Sequence, residues 1–253
     1  MLSERDGLAV EGLGAGVRAW MSLRAGGVSQ PPFDALNLGV SVGDDPAAVQ
    51  ANRDAVATLM QAPLVMLRQV HGTQCLRLDV AAEQNAAQAA DAAVLRRRDR
   101  ALGIQVADCL PVLFSAVDPK GQAQAVAGAH AGWRGLAGGV LEQTVAQLRA
   151  AAPGCELRAW LGPCIGPQAY EVGEDVMQQF GGEGPLMRYT PRPDGSPRWH
   201  ADLQGLAVQR LQQASVDRIE RCQACTFSEP SRFFSFRRDG ARSGRMAAFI
   251  RLL

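Results

Sequence analysis

The sequence predicts an α+β fold: a single domain over residues 1–253, with mixed β-sheets flanked by helices. Three observations predict it. Apolar runs of strand length outnumber helix-periodic segments, several runs are joined by short turns, and the strand–helix–strand alternation of a doubly wound sheet is missing. At 253 residues, 47% hydrophobic and 20% charged, the chain can bury a substantial core and has an ordinary globular balance. No repeat or break in composition marks a domain boundary.

Val17–Arg24 reads as a strand stopped by the loop Gly26–Pro32. Asp44 and Asp45 precede Pro46, a capping residue followed by proline at the first helical position. The helix runs to about Met60 with Val49, Arg53, Val56 and Met60 on one face, which leaves Arg53 either as a snorkelling surface arginine or as a functional one. Leu64–Val70 and Cys75–Val80 read as strands joined at His71-Gly72-Thr73, and Ala81–Ala90 as a polar loop or short helix. Strands follow at Asp91–Leu95, Ala101–Ala107, Pro111–Val117 and Gln124–Ala129. Leu136–Ala152 has helical periodicity, ended by Pro153-Gly154, and Glu156–Leu161 is a strand. A short helix is expected near Glu174–Phe180, a long surface excursion at Gly181–Pro197, and a helix at Asp202–Ala214. Phe233–Arg237 and Arg245–Leu252 read as closing strands around Asp239-Gly240.

Three of these apolar runs break on residues that carry chemistry. His71 ends one beside a glycine, Cys109 follows Asp108 at the break of a second, and His130 ends a third before Gly132-Trp133-Arg134. Two imidazoles and a thiolate suit zinc and leave a fourth position for water or substrate. Their wide separation in sequence belongs to a site assembled from different strands, not to a finger knuckle. A Cys-His hydrolase, with Cys109 as nucleophile and His130 or His71 as base, fits the same residues. Cys222-x-x-Cys225 lacks a second pair at zinc-ribbon spacing, and the glycine-rich loops carry neither a GxxxxGK(S/T) nor a strand-coupled GxGxxG phosphate cradle.

A net charge of +1 gives no reason to expect nucleic acid or an anionic membrane as a partner. The start of the chain lacks the pattern of a signal peptide, and no apolar stretch is long enough to span a bilayer. Six cysteines in such a chain read as reduced thiols or ligands rather than disulfides. A cytoplasmic protein is therefore expected, as a monomer or weak homodimer.

QVHGT around His71, ADCLPVLF around Cys109 and HAGWRG around His130 closely resemble the YfiH-like laccase-domain family. So do GPCIGPQAYEVGEDV from Gly162 and FFSFRRDG with GRMAAFI from Phe233, in order along nearly the whole chain. The resemblance implies the YfiH-like fold and a zinc site at His71, Cys109 and His130. It also implies phosphorolysis of adenosine, inosine and methylthioadenosine with phosphate as co-substrate, and deamination of adenosine. A peptidoglycan-editing hydrolase acting on misplaced serine, and a copper-dependent polyphenol oxidase, are the alternatives within the family. Copper on two histidines and a thiolate is chemically feasible, but a coupled multicopper centre needs more than His71, His130 and His200. With a purine nucleoside and phosphate as substrates, Arg53 and Arg134 are the expected phosphate forks, and Gln69 and Asn37 further contacts. Asp108 is the expected proton-moving carboxylate, or else the group that orients a ligating imidazole.

Overall fold

The computed structural model describes residues 2–78, 88–216 and 218–253. In chain order its strands and helices begin with β1 (Gly7–Ala9), β2 (Val17–Ser22), α1 (Pro46–Met60), β3 (Leu64–Met66), β4 (Cys75–Arg77), β5 (Ala92–Leu95), β6 (Ala101–Val106), β7 (Leu110–Val117) and β8 (Ala123–Ala131). They continue with α2 (Trp133–Gly138), α3 (Val140–Ala151), β9 (Glu156–Leu161), β10 (Glu171–Val172), α4 (Glu174–Gln179), β11 (Met187–Tyr189), β12 (Trp199–Ala201), α5 (Leu203–Gln213), β13 (Arg218–Arg221), α6 (Phe236–Asp239) and β14 (Met246–Leu252). The architecture is mixed α+β, as predicted. One sheet has the order β1-β2-β14-β6-β3, a second β13-β9-β7-β8-β5-β4, and β10-β12-β11 form a small third. Both large sheets combine antiparallel with parallel pairs, β3 with β6 in one and β4 with β5 and β13 with β9 in the other.

Period-two alternation on β7 and β8 builds the layers. Val112, Phe114, Ala127 and Ala129 face α3 and α5, packing with Val140, Leu141, Leu148 and Leu211. The alternate residues Leu113 and Val126 face the other large sheet and meet Leu102, Ile104, Ala248 and Ile250. On the far side of that sheet, Trp20 and Phe249 pack with Val56 and Met60 of α1. Gly128 lets the sheets approach: a Cβ there would lie 2.7 Å from Ile104 Cγ1. His130 is two residues further along β8 and therefore on the same inter-sheet face.

Asp45 caps α1 by accepting from Ala47 N–H, with Pro46 at the first position, as the sequence indicates. Other expectations need correction. Phe233–Arg237 is not a strand. Phe233 and Phe234 are buried as a loop, and the Ser235 hydroxyl accepts from Arg238 N–H to start α6. The helix expected at Leu136–Ala152 begins earlier and is split in two at Gly139, whose φ of 99° is left-handed. The strand expected over Leu64–Val70 stops at Met66, because the chain turns to deliver the N–H groups of residues 70–72 to Asp91. The excursion at Gly181–Pro197 contains β11, which returns to pair with β12. The end of the expected strand Cys75–Val80, and most of the expected loop Ala81–Ala90, lie outside the described residues.

Candidate metal centre

His71, Cys109 and His130 come together, their ligand atoms all within 4.8 Å of one another. Cys109 Sγ is 3.8 Å from His71 Nε2, and the two imidazole rings meet edge-on with centroids 4.8 Å apart. Bonds of about 2.0 Å to imidazole and about 2.3 Å to thiolate, at a tetrahedral angle, place ligand atoms about 3.5 Å apart. The donors are thus already at the scale of one ion, and among the described residues this is the one such three-residue group.

Each donor arrives by a different local device. His130 lies one residue before the end of β8. Cys109 follows Asp108, which holds φ at 94° in the turn between β6 and β7. His71 has φ of 59°, so two of the four non-glycine residues with positive φ among the described residues belong to this site. Such conformations cost energy and persist where surrounding bonds impose them.

At His71 those bonds come from Asp91, which sequence reasoning did not single out. Its fully buried carboxylate accepts from the N–H groups of Val70, His71 and Gly72 at 3.1, 2.9 and 2.7 Å, and pairs with His130 Nδ1 at 2.8 Å. One side chain therefore sets the backbone of one candidate ligand and the ring of another. With Nδ1–H directed at Asp91, His130 presents Nε2 to the site. Nothing local in the sequence links Asp91 to His130; it precedes an unremarkable run of apolar residues.

Electrostatics favour a ligating thiolate. Burial raises the Cys109 pKa, but the charge of His130 and hydrogen bonds from His130 and His71 outweigh it and bring the thiol down to about 6. Burial lowers the His130 pKa, but Cys109 and Asp91 push it up to about 9. A proton on the imidazole beside a thiolate is thus the preferred state of the metal-free pair. A divalent cation fits where that proton sits. Gly132 keeps the space open, since a Cβ there would lie 2.9 Å from His71 Cδ2 and 3.0 Å from Cys109 Sγ.

The three donors open into a cleft of about 770 Å³ that is also lined by Arg53, Gln69, Asp108 and Arg134. Arg53 does not snorkel. It is half-buried, and its Nε and Nη2 donate to Leu38 O at 3.0 and 2.7 Å. Arg134 is exposed at the rim, its guanidinium 4.3 Å from the Trp133 ring centroid. Gln69 lines the wall while its amide pairs with the backbone of Gln105, donating to O and accepting from N–H, both at 2.8 Å.

Asn37 is not brought into the cleft. It is fully buried, donates to Asp44 Oδ2 and Gly39 O, and accepts from Gly39 and Arg245 N–H, so it scaffolds the wall. Asp108 accepts from Thr226 Oγ1 at 2.6 Å, Ser235 Oγ at 3.0 Å and Arg237 N–H at 2.7 Å. It anchors the 226–237 segment against the site, and the carboxylate that orients an imidazole is Asp91. Missed contributors to the wall are Tyr170, Arg237 and Arg245. Burial pushes the Tyr170 hydroxyl pKa up, so it remains a proton donor.

Comparison with known proteins gives a consistent result. Residues 18–253 match the family model described as multi-copper polyphenol oxidoreductase laccase. A protein of Xylella fastidiosa named purine nucleoside phosphorylase is 46% identical, over 92% of this chain and 91% of its own. Purine nucleoside phosphorylase YfiH of Escherichia coli K12 is 43% identical, over 94% and 95%. The crystal structure of a Neisseria meningitidis protein has a TM-score of 0.85 at 40% identity, covering 98% of this chain and 99% of that one. YfiH of Bacillus licheniformis gives 0.86 at 30% identity, over 98% and 97%. These structures share the mixed α+β fold. No helix among the described residues is long and apolar enough to cross a membrane.

Proposed function

The chain belongs to the family of the multi-copper polyphenol oxidoreductase laccases, and we propose that it is a zinc-dependent purine nucleoside phosphorylase. The observation that carries the proposal is a His-Cys-His donor set opening into a cleft lined by arginines. The relatives named purine nucleoside phosphorylase, aligned along nearly the whole chain, support it. His71, Cys109 and His130 would hold the metal. When bound, zinc supplies a Lewis-acidic centre able to polarise an oxygen at its open position.

The chain's own residues do the remaining work. Asp91 holds His130 in the tautomer with Nε2 free and fixes the His71 turn. Arg53 in the cleft holds the anionic co-substrate while Arg134 at the rim draws it in, and their charge stabilises the ribosyl phosphate as it forms. In phosphorolysis a phosphate oxygen bonds to the ribose anomeric carbon, the glycosidic bond breaks, and the purine leaves with a proton. Trp133 and Tyr170 give the wall a flat apolar surface suited to a base. Inosine and methylthioadenosine present the same bond, and we extend the proposal to deamination of adenosine, in which water replaces the amino group at the purine C6 and ammonia leaves.

A coupled multicopper centre fits poorly, because the chain has three histidines and two are already in the donor set. The test is to incubate purified protein with adenosine, with and without phosphate, and separate the products by chromatography. Phosphate-dependent adenine release, lost together with zinc in His71→Ala, is the expected result. Purine release that ignores phosphate, or turnover that survives metal loss, would overturn the proposal.

A further inference from the structure

Two guanidiniums in the cleft are half-buried, and neither has a carboxylate bound to it among the described residues. Arg53, on α1, spends Nε and Nη2 on Leu38 O. Arg245, immediately before β14, spends Nη1 on Ser243 O and Gly244 O at 2.7 and 3.0 Å. Arg53 Nη1, and Nε and Nη2 of Arg245, make no hydrogen bond among the described residues. An arginine cannot shed its charge by losing a proton, so a desolvated guanidinium without a counter-ion is unfavourable until an anion arrives.

The two side chains are held on one scaffold. Leu38 N–H donates to Arg245 O at 3.0 Å, and Arg245 N–H donates to Asn37 Oδ1 at 2.8 Å. Gly39 lets Arg245 lie flat against the segment, since a Cβ there would sit 2.7 Å from Arg245 Cγ. Asn52 fixes the same segment from α1, donating to Asn37 O at 2.9 Å. Residues 37–39 are therefore clamped between the two arginines. Burial lowers the pKa of both guanidiniums, while Cys109 and Asp108 offset part of the cost for Arg245. Arg134 and Arg237 differ in kind. Both are exposed, one over Trp133 and the other donating to Glu171 O.

We propose that Arg53 and Arg245 form the inner oxyanion subsite of the cleft and that it holds inorganic phosphate. This rests on the phosphorylase reading and makes Arg245, which the sequence did not single out, the partner of Arg53. Two forks approaching from different elements suit a tetrahedral ion with several oxygens better than a planar carboxylate. Exposed Arg134 and Arg237 then attract anions at the mouth without fixing them.

The experiment measures binding of inorganic phosphate by titration calorimetry, alongside KM values for phosphate and adenosine. It compares the wild-type protein with Arg245→Gln and Arg245→Lys, the latter keeping the charge and losing the fork. We expect Arg245→Gln to weaken phosphate binding and raise its KM about ten- to hundredfold, with the adenosine KM nearly unchanged. Arg245→Lys should fold normally and fall between. Unchanged phosphate binding in both variants would overturn the subsite while leaving the phosphorylase reading intact. Arg245-dependent phosphate binding without phosphate-dependent purine release would keep the subsite and remove that reading. An AMP titration distinguishes the source: binding of AMP but not of free phosphate, dependent on Arg245, would assign the pair to a nucleotide and overturn the proposal.

Discussion

Replacing Asp91 tests most directly how the candidate metal centre is held. Its carboxylate accepts four donors: Val70 and Gly72 N–H on Oδ2, and His71 N–H and His130 Nδ1 on Oδ1. The residue is 0% exposed and its partner His130 is buried, while the three N–H donors belong to a partly exposed turn, so Asp91→Ala strands the imidazole most of all. At about 1–3 kcal/mol for the unpartnered buried imidazole, and less for the N–H groups that water can reach, the variant loses about 2–4 kcal/mol, a sizeable share of an ordinary stability of about 5–15 kcal/mol. Asp91→Asn isolates the orienting role. The amide keeps the volume and one acceptor, but its NH₂ must face either two backbone N–H groups or the His130 ring nitrogen. We expect about 1–3 kcal/mol of destabilisation and a zinc affinity lower by about 10- to 100-fold. A chelator-competition titration reads the affinity, and thermal unfolding of the metal-free protein reads the stability. The carboxyl also predicts the acid limb. Burial raises the Asp91 pKa, but His130 and the N–H groups of Gly72 and Val70 outweigh it, so the folded value is below the usual one. Its stabilisation is therefore complete above about pH 4 and lost as pH falls through the lower folded value. Zinc affinity within about twofold of wild type in Asp91→Asn, with an unchanged acid limb, would refute this account.

Two further outcomes follow from the same geometry. Gly132→Ala places a methyl 2.9 Å from His71 Cδ2 and 3.0 Å from Cys109 Sγ on backbone with φ of −63°, which any residue adopts. It should cost about tenfold or more in zinc affinity with little change in metal-free unfolding temperature, and an unchanged affinity would show that the ligands are free to move aside. In the metal-free protein, alkylation of Cys109 by iodoacetamide should rise with pH to a midpoint near 6, and zinc should suppress it. Cys75, pushed up to about 12 mainly by burial, should stay inert over the same range. Peptide mapping checks both, and a Cys109 midpoint at the ordinary thiol value of about 8.5 would count against the electrostatic argument.

The donor set was legible in the sequence because each ligand ends an apolar run beside a glycine or a turn, where little else explains an imidazole or a thiol. Asp91 was not, because its partners lie 19 to 39 residues away and only the sheet pairing brings them to it. Helices with a strong local signal, such as α1 behind Asp45-Pro46, appear where their caps place them. Phe233–Arg237 misled for a physical reason: two buried phenylalanines look like strand residues, and only the Ser235 cap shows that the chain turns there. Asn37 and Asp108 show another limit of reading roles from sequence. Polar residues near a predicted site invite a substrate or proton-transfer role, yet Asn37 spends its hydrogen bonds on backbone and the Asp44 carboxylate, and Asp108 spends its own on two hydroxyls and the Arg237 N–H.

An ion held by His71, Cys109 and His130 would also couple metal binding to the docking of the two large sheets. His71 follows β3 at the edge of one sheet, His130 lies one residue before the end of β8 in the other, and Cys109 lies in the turn where the chain crosses from β6 to β7. An ion held by all three bridges layers that otherwise meet through side chains such as Leu113, Val126 and Ile104. A cation that binds the folded chain and not the unfolded one stabilises it by about 4 kcal/mol at a thousandfold excess over Kd. For a chain of this size that corresponds to a rise in unfolding temperature of about 8–16 °C. Scanning calorimetry of chelator-stripped protein, before and after adding zinc, measures it directly. His71→Ala should remove the shift while leaving the metal-free unfolding temperature close to wild type, because His71 is exposed and contributes little to the core. A zinc-induced shift that survives His71→Ala would place the ion elsewhere and break the link between the donor set and the inter-sheet seam.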